Sequence, residues 1–112
     1  YQAKASKSER NKGCEELGEK VSGGMAGTAD QTLLTGSGNI RNNMARNNHP
    51  TVKPIVLMEY LIKMVTPKGG VVLDPFAGSG STLVAAKQNG YQYIGIEMTA
   101  EYIPIIEARL TC

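Results

Sequence analysis

Residues 71–82, VVLDPFAGSGST, constrain this chain more than any other stretch. An apolar run, Val71-Val72-Leu73, leads into Asp74 and Pro75 and then directly into closely spaced glycines, an order that reads as a buried strand turning sharply into a helix. Gly78 and Gly80 can take positive φ and leave room for a ligand to approach the backbone. Ser81 or Thr82 can cap the helix that follows. Turns of this kind bind nucleotide-like ligands, and in parallel sheets the ligand sits at the carboxyl ends of the strands.

The residues on either side supply the rest of such a unit. HPTVKP, residues 49–54, holds two prolines that fix an extended approach, with Pro54 suited to the first helical position. Met58, Leu61, Ile62 and Val65 then recur at helical spacing, and Ile55 and Leu57 widen the apolar face. That helix should end near Thr66, ahead of Pro67 and the Gly69-Gly70 turn. After strand 71–73, a helix is expected over 80–88 with Leu83, Val84 and Ala86 on its packed face and Gly90 as its C-terminal cap. A second strand is expected over 91–96, ending in Glu97, then a last helix from Thr99 to Leu110 whose first turn Pro104 makes irregular. The expected fold class is α/β: a partial Rossmann-like unit, helix-strand-helix-strand-helix with two parallel strands joined by a crossover, preceded by a largely irregular segment. Asp74 and Glu97 then stand together at the strands' carboxyl ends.

Residues 1–48 have a different texture. Residues 1–20 mix Lys, Arg, Glu and Ser with few aliphatics and read as a solvated loop or a frayed helix, whereas 22–48 are rich in Gly, Ser, Thr and Asn and read as a long mobile loop. Residues 1–53 carry eight Lys or Arg against five Asp or Glu, and 54–112 carry four against five, so the polar half is the basic one. Mild basicity permits a polyanionic partner without demanding one. Cys14 and Cys112 fit no metal-ligand spacing, so no metal site is expected and a reduced, intracellular protein is the plain reading. No run approaches the ~18 apolar residues of a membrane span. The chain does not begin with methionine, which suggests a segment of something longer.

Two nucleotide-site patterns are excluded at the glycine turn. A phosphate-cradling P-loop needs Lys before Ser or Thr, and Ser81-Thr82 follow Gly80 directly; a dinucleotide fingerprint needs a third glycine where Leu83 stands. What remains is an acidic residue at the turn, two glycines, and Glu97 at the end of the second strand, able to accept hydrogen bonds from both hydroxyls of a ribose.

In this setting DPFAGSGST (74–82) with YIGIE (93–97) resembles the cofactor motifs of S-adenosylmethionine-dependent DNA amino-methyltransferases, which modify adenine-N6 or cytosine-N4. HPTVKP resembles the segment preceding that motif in the circularly permuted members, and KASKSERNKG (4–13) is similar to a stretch that lies upstream of it. The resemblance implies that Asp74, Phe76, Gly78 and Gly80 surround the methionine and ribose parts of S-adenosylmethionine. It also implies that Glu97 holds the ribose hydroxyls, that Met98 lies against the adenine, and that Thr51 and Lys53 face the amino-acid end, where a cation suits a carboxylate. Each has a plainer alternative: Asp74 as a turn cap, Glu97 as a solvated strand end, Lys53 as a solvated lysine, Phe76 as core, and His49 as a structural hydrogen-bonding residue.

The departure from the family is equally informative. Its members present the target amine to Asp, Asn or Ser followed by Pro-Pro and an aromatic that stacks on the flipped base, and no Pro-Pro occurs here. The resemblance therefore implies a C-terminal, cofactor-binding part over 49–112, with 1–48 a remnant of the target-recognition region and no catalytic residue present. Such a part is expected to be inactive alone, to meet DNA only through the complete enzyme, to lack its catalytic half or a partner chain, and to reside in a prokaryotic or phage-like cytoplasm. A non-catalytic module serving a separate catalytic subunit is the alternative, and an RNA or small-molecule methyltransferase of related fold a further one. Two strands alone leave an open sheet that should expose apolar surface.

Overall fold

The computed structural model describes residues 2–21 and 44–112. The N-terminal stretch forms a short helix, α1 (Lys7–Asn11), capped by Ser6, whose Oγ accepts from the Glu9 amide at 3.1 Å. Strand β1 (Lys20–Val21) pairs antiparallel with β2 (Met44–Ala45), closing the ends of the stretch between them. Next come α2 (Ile55–Val65), β3 (Val71–Asp74), α3 (Ser81–Gln88), β4 (Gln92–Gly95), a 3-10 turn (Ala100–Tyr102) and α4 (Ile103–Thr111). Strands β3 and β4 pair in parallel, with Val71 opposite Gln92 and Asp74 opposite Gly95, so the α/β unit expected from the sequence is the one observed.

The local chemistry explains most boundaries. Pro54 stands just before α2, Thr66 ends it ahead of Pro67, and Pro104 sits in the first turn of α4. The irregular first turn expected there is the 3-10 turn, although Thr99 makes no side-chain capping bond to it. Helix α3 departs from expectation in one respect. Its N-cap is Gly80, with no side-chain capping bond, and Ser81 is already helical; its hydroxyl is engaged from below by α4. Gly90, with φ of 75°, follows the Asn89 C-cap as predicted.

Packing is one-sided. Ile62 of α2, Val72 of β3 and Ala85 and Ala86 of α3 form one cluster with Met58 and Tyr93 against it; Ala77, Leu83 and Ile106 form a second. Leu61 and Val65, expected on the packed face of α2, are 40% and 75% exposed, because Ile62 and Met58 fill the contact of that helix with α3 and β3. Strand alternation turns Val71, Leu73 and Ile94 to the opposite side, where they are 52%, 60% and 54% exposed, and Ile96 just beyond β4 is 55% exposed. The apolar surface expected of a two-stranded unit is therefore present.

The reading of residues 1–20 as a solvated loop or frayed helix holds for most of the stretch, where the short α1 buries no residue, and needs correction at the points where it docks. Cys14 is fully buried, Gly13 lies against Ala108 and Arg109 of α4, and Glu9 Oε1 accepts from the Ile55 amide at 2.8 Å, in effect capping α2 from a distance. Asn47, also fully buried, donates through Nδ2 to the Arg10 carbonyl at 2.9 Å, while its own amide donates to Asn11 Oδ1 at 3.2 Å. Aliphatic content misled here, because the segment docks through polar groups satisfied against the backbone. The mobile loop expected over 22–48 lies, for 22–43, outside the described residues; 44–48 are tied in through β2 and Asn47. Both cysteines are free. Among the described residues no helix is long and apolar enough to cross a membrane.

Candidate functional site

The turn after β3 is built by short-range bonds. Asp74 Oδ1 accepts from the Phe76 amide at 3.0 Å, and the ladder continues past the strands through Ile96 N–H to the Asp74 carbonyl and Ala77 N–H to the Ile96 carbonyl, both 2.9 Å. Gly78 and Gly80 take φ of 57° and 78°, the left-handed region that side chains disfavour. Space reinforces the choice. A Cβ on Gly78 would come within 2.9 Å of His49 Nε2, and one on Gly80 within 3.1 Å of Ile106 Cγ2.

Glu97 joins the two strand-end loops. Its Oε1 accepts from the Thr99 amide at 2.9 Å and its Oε2 from the Gly78 amide at 2.6 Å. Those amides, Thr99's first, hold its carboxyl below the ordinary glutamate value of 4.5, so it is a carboxylate at neutral pH. Each oxygen keeps further lone-pair capacity for a hydroxyl donor.

His49 closes the site from the HPTVKP side. Its amide donates to Asn47 Oδ1 and its Nδ1 accepts from the Thr51 amide, each at 3.2 Å; its ring meets Tyr102 edge-on, with centroids 4.5 Å apart. With Nδ1 an acceptor, the neutral ring carries its proton on Nε2, the atom facing Gly78. Burial pushes its pKa below 6.5, Glu97 opposing and Lys53 and Arg10 assisting.

These parts enclose a cavity of about 240 Å³. Of the residues predicted from sequence, Thr51, Lys53, Asp74, Phe76 and Gly78 line it, joined by His49, Met58, Ala77, Ser79, Ser81 and Thr82. Gly80 does not: it is buried behind the turn against Ile106. Glu97 reaches the turn through Gly78 without lining the cavity, and Met98 is 96% exposed beside it. Phe76, 87% exposed, is not core. A larger cleft of about 490 Å³ lies between Lys63, Lys68 and Gly69, at the entry to β3, and Asn89 to Tyr91, at the entry to β4; it lacks the glycine turn and both strand-end carboxylates. Among the described residues no cluster of His, Cys, Asp and Glu is suited to a metal ion.

Sequence reasoning missed Arg109. This side chain is 3% exposed, and its Nη1 donates to the Ser79 carbonyl at 2.7 Å, Ser81 Oγ at 3.0 Å and Ser79 Oγ at 3.1 Å. A signal was available: Ile105, Ile106 and Arg109 share one helical face, which places a cation at core-facing spacing.

A two-stranded parallel unit with a glycine turn and paired carboxylates at the strand ends defines part of a nucleotide-type α/β domain. The profile of the N6/N4-type family described as DNA methylase matches residues 3–108. The type II methyltransferase M.ScaI of Streptomyces caespitosus is 40% identical over 74 residues, covering 66% of this chain and 24% of its own length. M2.DpnII of Streptococcus pneumoniae is 48% identical over 62 residues, covering 55% and 23%. Among solved structures, the M1.HpyAVI complex with S-adenosylmethionine superposes with a TM-score of 0.54 at 44% identity, covering 57% of this chain and 31% of that one. TTHA0409 of Thermus thermophilus, complexed with S-adenosyl-L-methionine, gives 0.51 at 41%, covering 53% and 25%. The chain belongs to the N6/N4 DNA methylase family, as its glycine turn, YIGIE and HPTVKP implied. It spans about a quarter of the length of these curated relatives.

Proposed function

We propose that this chain is the part of a DNA amino-methyltransferase that holds S-adenosylmethionine. The observation carrying this reading is the convergence of Thr51, Lys53, Asp74, Phe76 and Gly78 on one cavity, with the Glu97 carboxylate fixed beside it by two backbone amides. The residues suit the ligand chemically: Glu97 has acceptor capacity for two ribose hydroxyls, Lys53 offers a cation to a carboxylate, and Phe76 and Met98 expose soft apolar surface at the rim. Gly80 acts by shaping the turn from behind. When bound, the cofactor's sulfonium carries the methyl group to be transferred; this chain's residues bind and orient it.

Calorimetric titration with S-adenosylmethionine tests the site. Glu97→Ala should weaken affinity by about 1–3 kcal/mol, the scale of a buried hydrogen-bonding group left unmade. Unchanged affinity in a folded variant removes Glu97 from the site.

Base recognition and transfer belong, in this proposal, to residues outside the chain. DNA is met through the complete enzyme, and the polar residues 1–48 derive from the target-recognition side of a boundary near 48. No Pro-Pro sequence is present to hold the target amine, so the separate chain should bind cofactor without methylating DNA. The exposed Val71, Leu73, Ile94 and Ile96 favour a second layer covering this face, whether in the same polypeptide or in a separate catalytic subunit. The bacterial sources of the relatives support a prokaryotic or phage-like setting.

A further inference from the structure

The glycine turn is held from beneath by a charge that does not itself line the cavity but bonds to two residues that do, Ser79 and Ser81. All the hydrogen bonds of Arg109 among the described residues go to neutral oxygens of Ser79 and Ser81, and its Nη2 is buried with no partner. A guanidinium removed from water and left partly unsatisfied is costly, and burial pushes its pKa down accordingly. An apolar residue at the same core-facing position would avoid that cost. The bonds Arg109 makes are concentrated on the two residues flanking Gly80, at the point where β3's loop becomes α3.

We propose that Arg109 is a positioning residue for cofactor binding: its Nη1 presets the Ser79–Ser81 backbone so that the turn presents its cavity-facing side to the ligand. This rests on the cofactor reading above for the identity of the ligand, but the state of the turn can be measured without any ligand. Nη1 carries two hydrogens and reaches three oxygens, so one hydrogen is shared. A lysine ammonium carries three hydrogens on one nitrogen and can serve the same oxygens; methionine fills similar volume and serves none. A role in packing alone ranks methionine at or above lysine, because methionine buries without a charge. A positioning role ranks lysine above methionine.

The experiment compares the full chain with Arg109→Lys and Arg109→Met by amide hydrogen exchange at Ala77, Gly78 and Gly80, each of which donates a hydrogen bond within or across the turn. Exchange at these amides should accelerate by about tenfold in Arg109→Met relative to the remainder of the chain, and stay near the parent rate in Arg109→Lys. Protection in Arg109→Met equal to or above that in Arg109→Lys overturns the proposal. Should Arg109→Met not fold, the double variant Ser79→Ala, Ser81→Ala keeps the arginine and its bond to the residue-79 carbonyl and removes the other two acceptors; faster exchange confined to the turn supports the brace, and unchanged exchange overturns a brace that works through the hydroxyls. Calorimetry with S-adenosylmethionine gives the second arm, with affinity lowered in Arg109→Met and retained in Arg109→Lys. Absence of binding by the parent chain refutes the cofactor reading, while the exchange result still decides the brace.

Discussion

At the scale of single residues, two acid-sensitive groups sit side by side and should separate by pH. Burial holds His49 below 6.5, so the unfolded chain binds a proton that the folded one resists; the stability from its neutral form is complete above 6.5 and is lost as pH falls below it. Glu97 is held below 4.5 by the Thr99 and Gly78 amides; its contribution is complete above 4.5 and is lost on further acidification. Thermal midpoints followed from pH 7.5 down to about pH 2 should therefore fall in two stages. Replacing His49 with Gln should flatten the first stage and leave the second; a first stage that survives the replacement would assign it to another group. The placement of Asp74 and Glu97 at the carboxyl ends of the two strands, and of Gly78 in a left-handed turn between them, was legible from the sequence because strand-ending carboxylates and closely spaced glycines mark such a turn. His49's packing on Gly78 was not, since no periodicity links residues 29 positions apart.

At the scale of elements, α2 is started by a residue from another helix. Its N-cap position holds Pro54, which makes no side-chain capping bond, and the Ile55 amide is met instead by Glu9 Oε1 across 46 positions. Glu9→Ala should cost about 1 kcal/mol, the usual worth of a cap, while Glu9→Gln, which keeps an acceptor oxygen, should cost less. Chemical denaturation checks the ranking, and equal losses would show that the acceptor does not matter. Elements from α2 onward could be placed to within a residue or two because hydrophobic period, prolines and glycines agreed. The docking of α1 and the burial of Cys14 were invisible for a physical reason: the contacts run through Asn47, Glu9 and Gly13, residue types that also populate solvated loops.

For the molecule as a whole, the uncovered sheet face is the dominant feature. Leu73 and Ile94 are opposite one another in register and more than half exposed, so the separate chain should associate as concentration rises. Leu73→Lys should reduce that association, followed by sedimentation velocity, without loss of secondary structure by circular dichroism. Association unaffected by the substitution would locate the contact elsewhere. The fold class was readable from the sequence, and so was this exposed face, because two strands joined by one helix cover only one side.

The order in which the chain is made gives the arginine brace one more meaning. Ser79 leaves the ribosome 30 residues ahead of Arg109, a lead of roughly 1.5 to 6 seconds at ordinary synthesis rates of about 5–20 residues per second. During that interval the turn lacks the Arg109 bonds, and on the positioning proposal it takes its final shape when α4 arrives. The lining of the cavity, His49 to Thr82, is thus synthesised before the side chain that bonds to the turn from behind.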